Sequence, residues 1–150
     1  PVYTKPSLIM MGMWGSGGTM IIYLAALKGV PKSLYEAAEL DGAGPWKKFT
    51  KITIPAISTA TLFQLVIGLI HAFQYFTQAF IFIEGTNHAT MPGGPENSLL
   101  FYAIYLYQQA FSYLKFGTAS AMAWILFIII VIVTVIVFRT SLKWVYYGGE

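Results

Sequence analysis

The sequence contains no cysteine, so it holds neither a disulfide nor a thiolate metal site. Charge is scarce as well. Asp, Glu, Lys and Arg make up 10% of the 150 residues, against about 25% in soluble domains. With 57% hydrophobic residues and a mean hydropathy of +0.64, too little polar surface remains to coat a water-soluble globule. No Gly-x-x-x-x-Gly-Lys-Ser/Thr loop occurs. The run Gly15-Ser16-Gly17-Gly18 is flanked by apolar residues and lacks the lysine that would reach a phosphate. His71 and His88 are the two histidines, without metal-ligand spacing, and no two carboxylates share an apolar run. Enzyme chemistry, a bound cofactor and a metal are therefore not expected on this chain. The net charge of +3 is not gathered into a basic stripe, so nucleic acid is not an expected partner.

Long apolar runs take the place of charge. Ser7–Leu27 and Thr118–Phe138 each hold 21 residues without a charge, and Leu62–Ile83 has no Asp, Glu, Lys or Arg. A 21-residue helix is roughly 31 Å long, the thickness of a bilayer's hydrocarbon core. Three membrane-spanning helices are expected, over 7–27, 62–83 and 118–138. The β-branched run from Ile128 to Val137 would favour a strand in water, but length decides for a helix. Gly12, Gly15, Gly17 and Gly18 in the first run permit close helix contact or a bend, and contact is the expected use. In the second run Gln64, His71, Gln74 and Gln78 recur at spacings of three, four and seven, which places them on one helical face. Polar groups are costly in hydrocarbon unless they meet water or protein. That face either lines a path or hydrogen-bonds within the bundle, and both readings stay open.

Residues 84–98 break the pattern with Gly85, Asn87, Pro92, Gly93, Gly94 and Pro95. Leu99–Phe111 is apolar and ring-rich but too short to span. It is expected to be an interfacial helix, with a re-entrant or buried helix as the alternative. Seven of the nine basic residues (Lys28, Lys32, Lys47, Lys48, Lys51, Arg139 and Lys143) fall in the central loop or the C-terminal tail. Three spans put those two segments on one side, and the positive-inside rule makes that side cytoplasmic. Trp144, Tyr146 and Tyr147 are expected interface anchors there.

The central loop is the longest polar stretch. Ser33 and Glu36 have capping-box spacing, so a helix is expected from Leu34. Gly42 would end it in a left-handed conformation, and Gly44-Pro45 would start a second helix that stops or kinks near Pro55. The two helices form a bent knob. A plainer reading lays the loop on anionic headgroups through its lysines.

Glu36-Ala37-Ala38, three residues, Gly42, nine residues and Ile52-x-Ile54-Pro55 resemble the EAA loop of bacterial binding-protein-dependent ABC importer permeases. Ile54 stands where that pattern has leucine. Leu24-Ala25-Ala26-Leu27, Gly93-Gly94-Pro95, Ala110-Phe111-Ser112-Tyr113 and Trp144-Val145-Tyr146-Tyr147 resemble the sugar-type branch, which includes the maltose and glycerol-phosphate permeases. The resemblance implies an all-α membrane protein. Three transmembrane helices of a larger permease bundle would carry a cytoplasmic two-helix EAA coupling loop over 33–55 and an outer interfacial helix within 84–117. An N-terminal half with further spans would precede Pro1. The chain would be the translocation subunit of an ATP-driven importer for a sugar, polyol or sugar-phosphate, multi-pass in the bacterial inner membrane.

By the same resemblance, ATP and Mg belong to a separate ATPase subunit. The other partners are a second permease subunit, a periplasmic or lipid-anchored solute-binding protein, and membrane lipid. Glu36, Ala37, Ala38, Asp41, Gly42, Ile52 and Pro55 would be the ATPase-coupling residues: Glu36 paired with a basic group, Ala37 and Ala38 the close-contact surface, Gly42 the bend. Gln64, His71, Gln74 and Gln78 are the candidate solute path. Half of an ion-coupled secondary transporter is an alternative, disfavoured because the runs carry no carboxylate. A structural membrane protein without a pathway is another, but it has no use for a stiff knob.

Overall fold

A segment surrounded by lipid must satisfy its own backbone hydrogen bonds, and a helix does so within itself. The computed structural model describes residues 3–85 and 93–146, and every regular element among them is helical. His88, Asn87, Pro92 and Tyr147 lie outside the described residues. The order is α1 (Thr4–Trp14), α2 (Gly17–Lys28), α3 (Lys32–Leu40), α4 (Pro45–Lys48), a π-helical turn (Phe49–Thr53), α5 (Ile54–Ala56), α6 (Ser58–Phe73) and α7 (Thr77–Gly85). A 3₁₀ turn (Pro95–Asn97), α8 (Tyr102–Tyr107), a second π turn (Gln108–Ser112) and α9 (Phe116–Ser141) follow. Two stretches are long and apolar enough to cross a membrane, Ser58–Gly85 and Phe116–Ser141, with a third if α1 and α2 act together.

The third apolar run matches its expected place. α9 extends it by two residues at the start and three at the end, to 26 residues. Apolar on all sides, it has no polar face for water, as suits a helix in lipid.

The other two runs are not single helices. The first breaks at Gly15 and Ser16. A Cβ at Gly12, Gly17 or Gly18 would meet nothing within 4 Å. The expected close helix contact is therefore absent among the described residues, and the glycine cluster coincides with a break instead. The second run starts earlier than expected, at Ser58, and loses helix at residues 74–76. Tyr75 there meets the edge of Phe101 at a 5.2 Å ring distance, and Phe76 stacks on Phe80 at 5.0 Å. These ring contacts offset the interrupted hydrogen bonding.

The chain divides into two compact units. The unit of Pro1–Gly15 and Gly68–Thr134 has a core of Leu8, Ala79, Ile83, Leu99 and Ile104, flanked by Tyr75, Phe76, Phe82 and Phe101. α8 contributes Ile104 to that core while Tyr102 and Tyr105 stay exposed. One face of α8 is thus packed into that core and the other is left exposed. The loop before it closes with the Leu99 amide donating to the Gly93 carbonyl at 2.9 Å. A Cβ at Gly93 would stand 2.8 Å from that of Leu100, so only glycine fits.

The unit of Ser16–Ile67 and Val135–Glu150 holds the polar loop. Its C-terminal tail is fixed to the start of α6. Ser58 Oγ donates to the Pro55 carbonyl (2.6 Å) and accepts from the Tyr146 amide (2.8 Å), while Thr59 Oγ1 donates to the Tyr146 carbonyl (3.3 Å).

Candidate functional site

α3 starts at Lys32, two residues earlier than the capping-box spacing predicts. Pro31 occupies the N-cap position, and no side chain caps the helix. Proline's fixed φ supplies the entry instead, at −60° with extended ψ. Ser33 and Glu36 thus lie inside the helix, and the capping box does not form.

The end of α3 is as expected. Gly42 has φ +72°. Its amide donates to the Glu39 carbonyl at 2.9 Å, and the Ala43 amide to the Ala38 carbonyl at 2.8 Å. These are the two bonds of a Schellman end, which needs a residue at ease with positive φ. Gly44 then takes an extended conformation and Pro45 opens α4 at its first position.

Pro55 does not stop this second helix. Four residues earlier, its ring would crowd the Lys51 carbonyl, and its missing N–H leaves a hydrogen bond unmade. The backbone widens into the π turn at Phe49–Thr53, closed by the Ile54 amide on the Phe49 carbonyl. The helix passes on through α5 and turns at Ile57 into α6.

Two side-chain ties join α3 to this second arm. Lys48 Nζ donates to Glu39 Oε1 at 2.5 Å. Glu39 is two-thirds exposed, so the pair contributes about 0.2–1 kcal/mol and weakens with salt. Further from the bend, Tyr35 Oη and Thr53 Oγ1 share a half-buried hydrogen bond of 2.8 Å.

The outside of the elbow is apolar at its tip and acidic at its rim. Leu40 is 92% and Trp46 76% exposed. Glu36, Ala37, Asp41 and Gly42 are exposed, while Ala38, Ile52 and Pro55 are half-buried. Glu36 and Asp41 have no ion-pair partner among the described residues. Leu40 and Trp46 are thus large apolar side chains left uncovered on an otherwise polar loop.

The second candidate site is only partly gathered. Gln64 and His71 lie on α6, Gln74 falls in the break, and Gln78 belongs to α7. One continuous helical face through all four, as the spacing predicts, is therefore not formed. His71, Gln74 and Gln78 are exposed and Gln64 half-buried. A neighbouring groove of about 410 Å³ is lined by Lys5, Leu8, Ile9, Gly12, Ala72, Tyr75 and Phe101, none of them among the four. Composition gives no sign of the break, since residues 74–76 contain neither Gly nor Pro. Among the described residues no three His, Asp or Glu side chains gather as a metal would require.

Residues 2–146 match the family described as the binding-protein-dependent transport system inner membrane component. A probable ABC transporter permease protein, YesP, from Bacillus subtilis (strain 168), is 43% identical over 144 residues, 96% of this chain and 45% of that protein. The lactose transport system permease protein LacF of Rhizobium radiobacter is 32% identical over 143 residues, 94% of this chain and 46% of that protein. The sn-glycerol-3-phosphate transport system permease protein UgpA of Shigella flexneri is 34% identical over 119 residues, 79% and 38% respectively. The chain thus spans somewhat under half the length of these curated relatives. The family match over almost the whole chain and the long apolar helices agree, and the chain belongs to the binding-protein-dependent transport system inner membrane components.

Proposed function

We propose that this chain is part of the translocation subunit of an ATP-driven importer, and that the elbow from Lys32 to Ala56 couples it to a separate ATPase. The observation that carries this reading is the elbow itself. Its bend is set by a left-handed glycine, its arms are tied by side chains, and its apolar tip is uncovered. A stiff projection of this kind can pass a rigid-body motion between two discrete states, whereas a slack loop absorbs it. Leu40 and Trp46 would enter a cleft of the ATPase, with Ala37 and Ala38 allowing close approach. Glu36 and Asp41 would meet basic groups at the rim. Ile52 and Pro55 would hold the second arm in line.

Three crossings, counting α1 with α2 as one, put the elbow and the C-terminus on one side. Seven of the nine basic residues lie there, which makes it the cytoplasmic side. The solute path would run by His71, Gln74 and Gln78, with Gln64 further along α6. Their amide and imidazole groups suit hydroxyl-rich solutes. Relatives named for lactose and for sn-glycerol-3-phosphate transport support a sugar, polyol or sugar-phosphate. A second permease subunit and a solute-binding protein would complete the assembly.

Glu36→Lys tests the coupling. In the complete importer, reconstituted with its ATPase and binding protein, uptake per ATP hydrolysed should fall at least tenfold while the subunit still reaches the membrane. Wild-type uptake by that variant would remove the coupling role.

A further inference from the structure

Resting on the coupling role proposed above, we infer that Tyr35 and Thr53 are positioning residues which hold the elbow at a fixed opening, and that the π turn exists to bring them together. The two ties between the arms are arranged like rungs. On α3, Tyr35 and Glu39 are four residues apart, one turn, and so share a face. Their partners Thr53 and Lys48 are five residues apart. In a regular α-helix five residues rotate through about 500°, leaving the two side chains roughly 140° out of line. The π turn at Phe49–Thr53, closed by the Ile54 amide on the carbonyl of Phe49 five residues back, winds through a smaller angle per residue than an α-helix and so brings positions 48 and 53 nearer to one face. Both partners then face α3. Pro55 induces that widening, since it supplies no amide and crowds the carbonyl four residues back. One proline thus sets the register of a hydrogen bond two residues away from it.

The rungs differ in strength. Lys48–Glu39 is exposed on the carboxylate side and screened by salt. Tyr35–Thr53 is half-buried, uncharged and furthest from the Gly42 bend. It has the longer lever against opening and is insensitive to ionic strength. A neutral hydrogen bond of this kind shifts the balance between braced and unbraced elbows by roughly two- to tenfold.

The test uses the complete importer in proteoliposomes, with Tyr35→Phe, Thr53→Val, the double variant and Thr53→Ser. Tyr35→Phe deletes one oxygen and keeps the ring. Either single removal is expected to lower uptake per ATP by two- to tenfold with ATP hydrolysis retained. The double variant should be no worse than the worse single, and Thr53→Ser should restore wild-type coupling. Spin labels at the exposed positions Ser33 and Lys51 give a second readout, a distance distribution that broadens in Tyr35→Phe. Wild-type coupling and an unchanged distribution in Tyr35→Phe and Thr53→Val overturn the brace. If Glu36→Lys still uncouples in that case, the brace alone fails and the elbow's coupling role stands. If Glu36→Lys is also silent, both fail. Additive losses in the double variant, or no rescue by serine, likewise overturn the inference, because they show general damage to the loop.

Discussion

Gly42 allows the stiffness of the elbow to be graded. Its φ of +72° lies in the left-handed region, and a Cβ there would meet nothing within 4 Å. A substitution therefore changes backbone energy without a steric clash. Asparagine tolerates this conformation and should cost little. Alanine pays about 1–2 kcal/mol for its Cβ, which is roughly a 5- to 30-fold shift from the bent towards the unbent chain. Proline cannot reach φ +72°, and it also removes the amide that donates to Glu39 at 2.9 Å. It should cost about 3 kcal/mol or more. The assay is uptake and ATP hydrolysis by the reconstituted importer, with membrane level and co-purification of the ATPase measured alongside. Uptake per ATP should fall in the order glycine, asparagine, alanine, proline. A proline variant with wild-type coupling would refute the reasoning, and so would an asparagine variant as poor as proline.

Ser58→Ala should free the C-terminal tail, because the Tyr146 amide and the Pro55 carbonyl both lose their partner at a buried position. A destabilisation of about 1–3 kcal/mol and earlier proteolytic cutting near Tyr146 are expected, while Ser58→Thr, which keeps the hydroxyl, should resist. Gln78→Leu separates a path from a lipid-facing position. On a path it should cut uptake severalfold with basal ATP hydrolysis unchanged, whereas facing lipid the leucine would be neutral or stabilising.

Sequence alone carried the elbow further than it carried the spans. Gly42, Gly44 and Pro45 act through their own backbone constraints, which no neighbour overrides, and the Schellman end and helix restart fall where those residues stand. The capping box failed because Pro31, two residues before Ser33, already fixes the entry into α3. Pro55 was legible as a disturbance but not as a π turn. The choice between stopping and widening depends on partners eighteen residues away, such as Tyr35 for Thr53.

In the membrane runs, hydropathy revealed α9 nearly to its ends because nothing interrupts it. It hid the break at residues 74–76, where the competing contacts of Tyr75 with Phe101 and of Phe76 with Tyr107 come from tertiary packing. The same break dissolves the single polar face that the spacing of Gln64, His71, Gln74 and Gln78 predicts. The glycines of the first run were legible as special but ambiguous between contact and bend. Among the described residues nothing lies within 4 Å of a Cβ at Gly12, Gly17 or Gly18, and the cluster coincides with the break at Gly15 and Ser16.

Photo-cross-linking from position 40 in intact cells tests the coupling role most directly. Leu40 is the most exposed apolar side chain of the elbow, so a photoreactive residue there should leave the fold unchanged. The expected result is a covalent adduct with a nucleotide-hydrolysing subunit, with a yield that changes when ATP is depleted. Adducts with lipid alone, or labelling of position 40 by a membrane-impermeant reagent added outside, would contradict it.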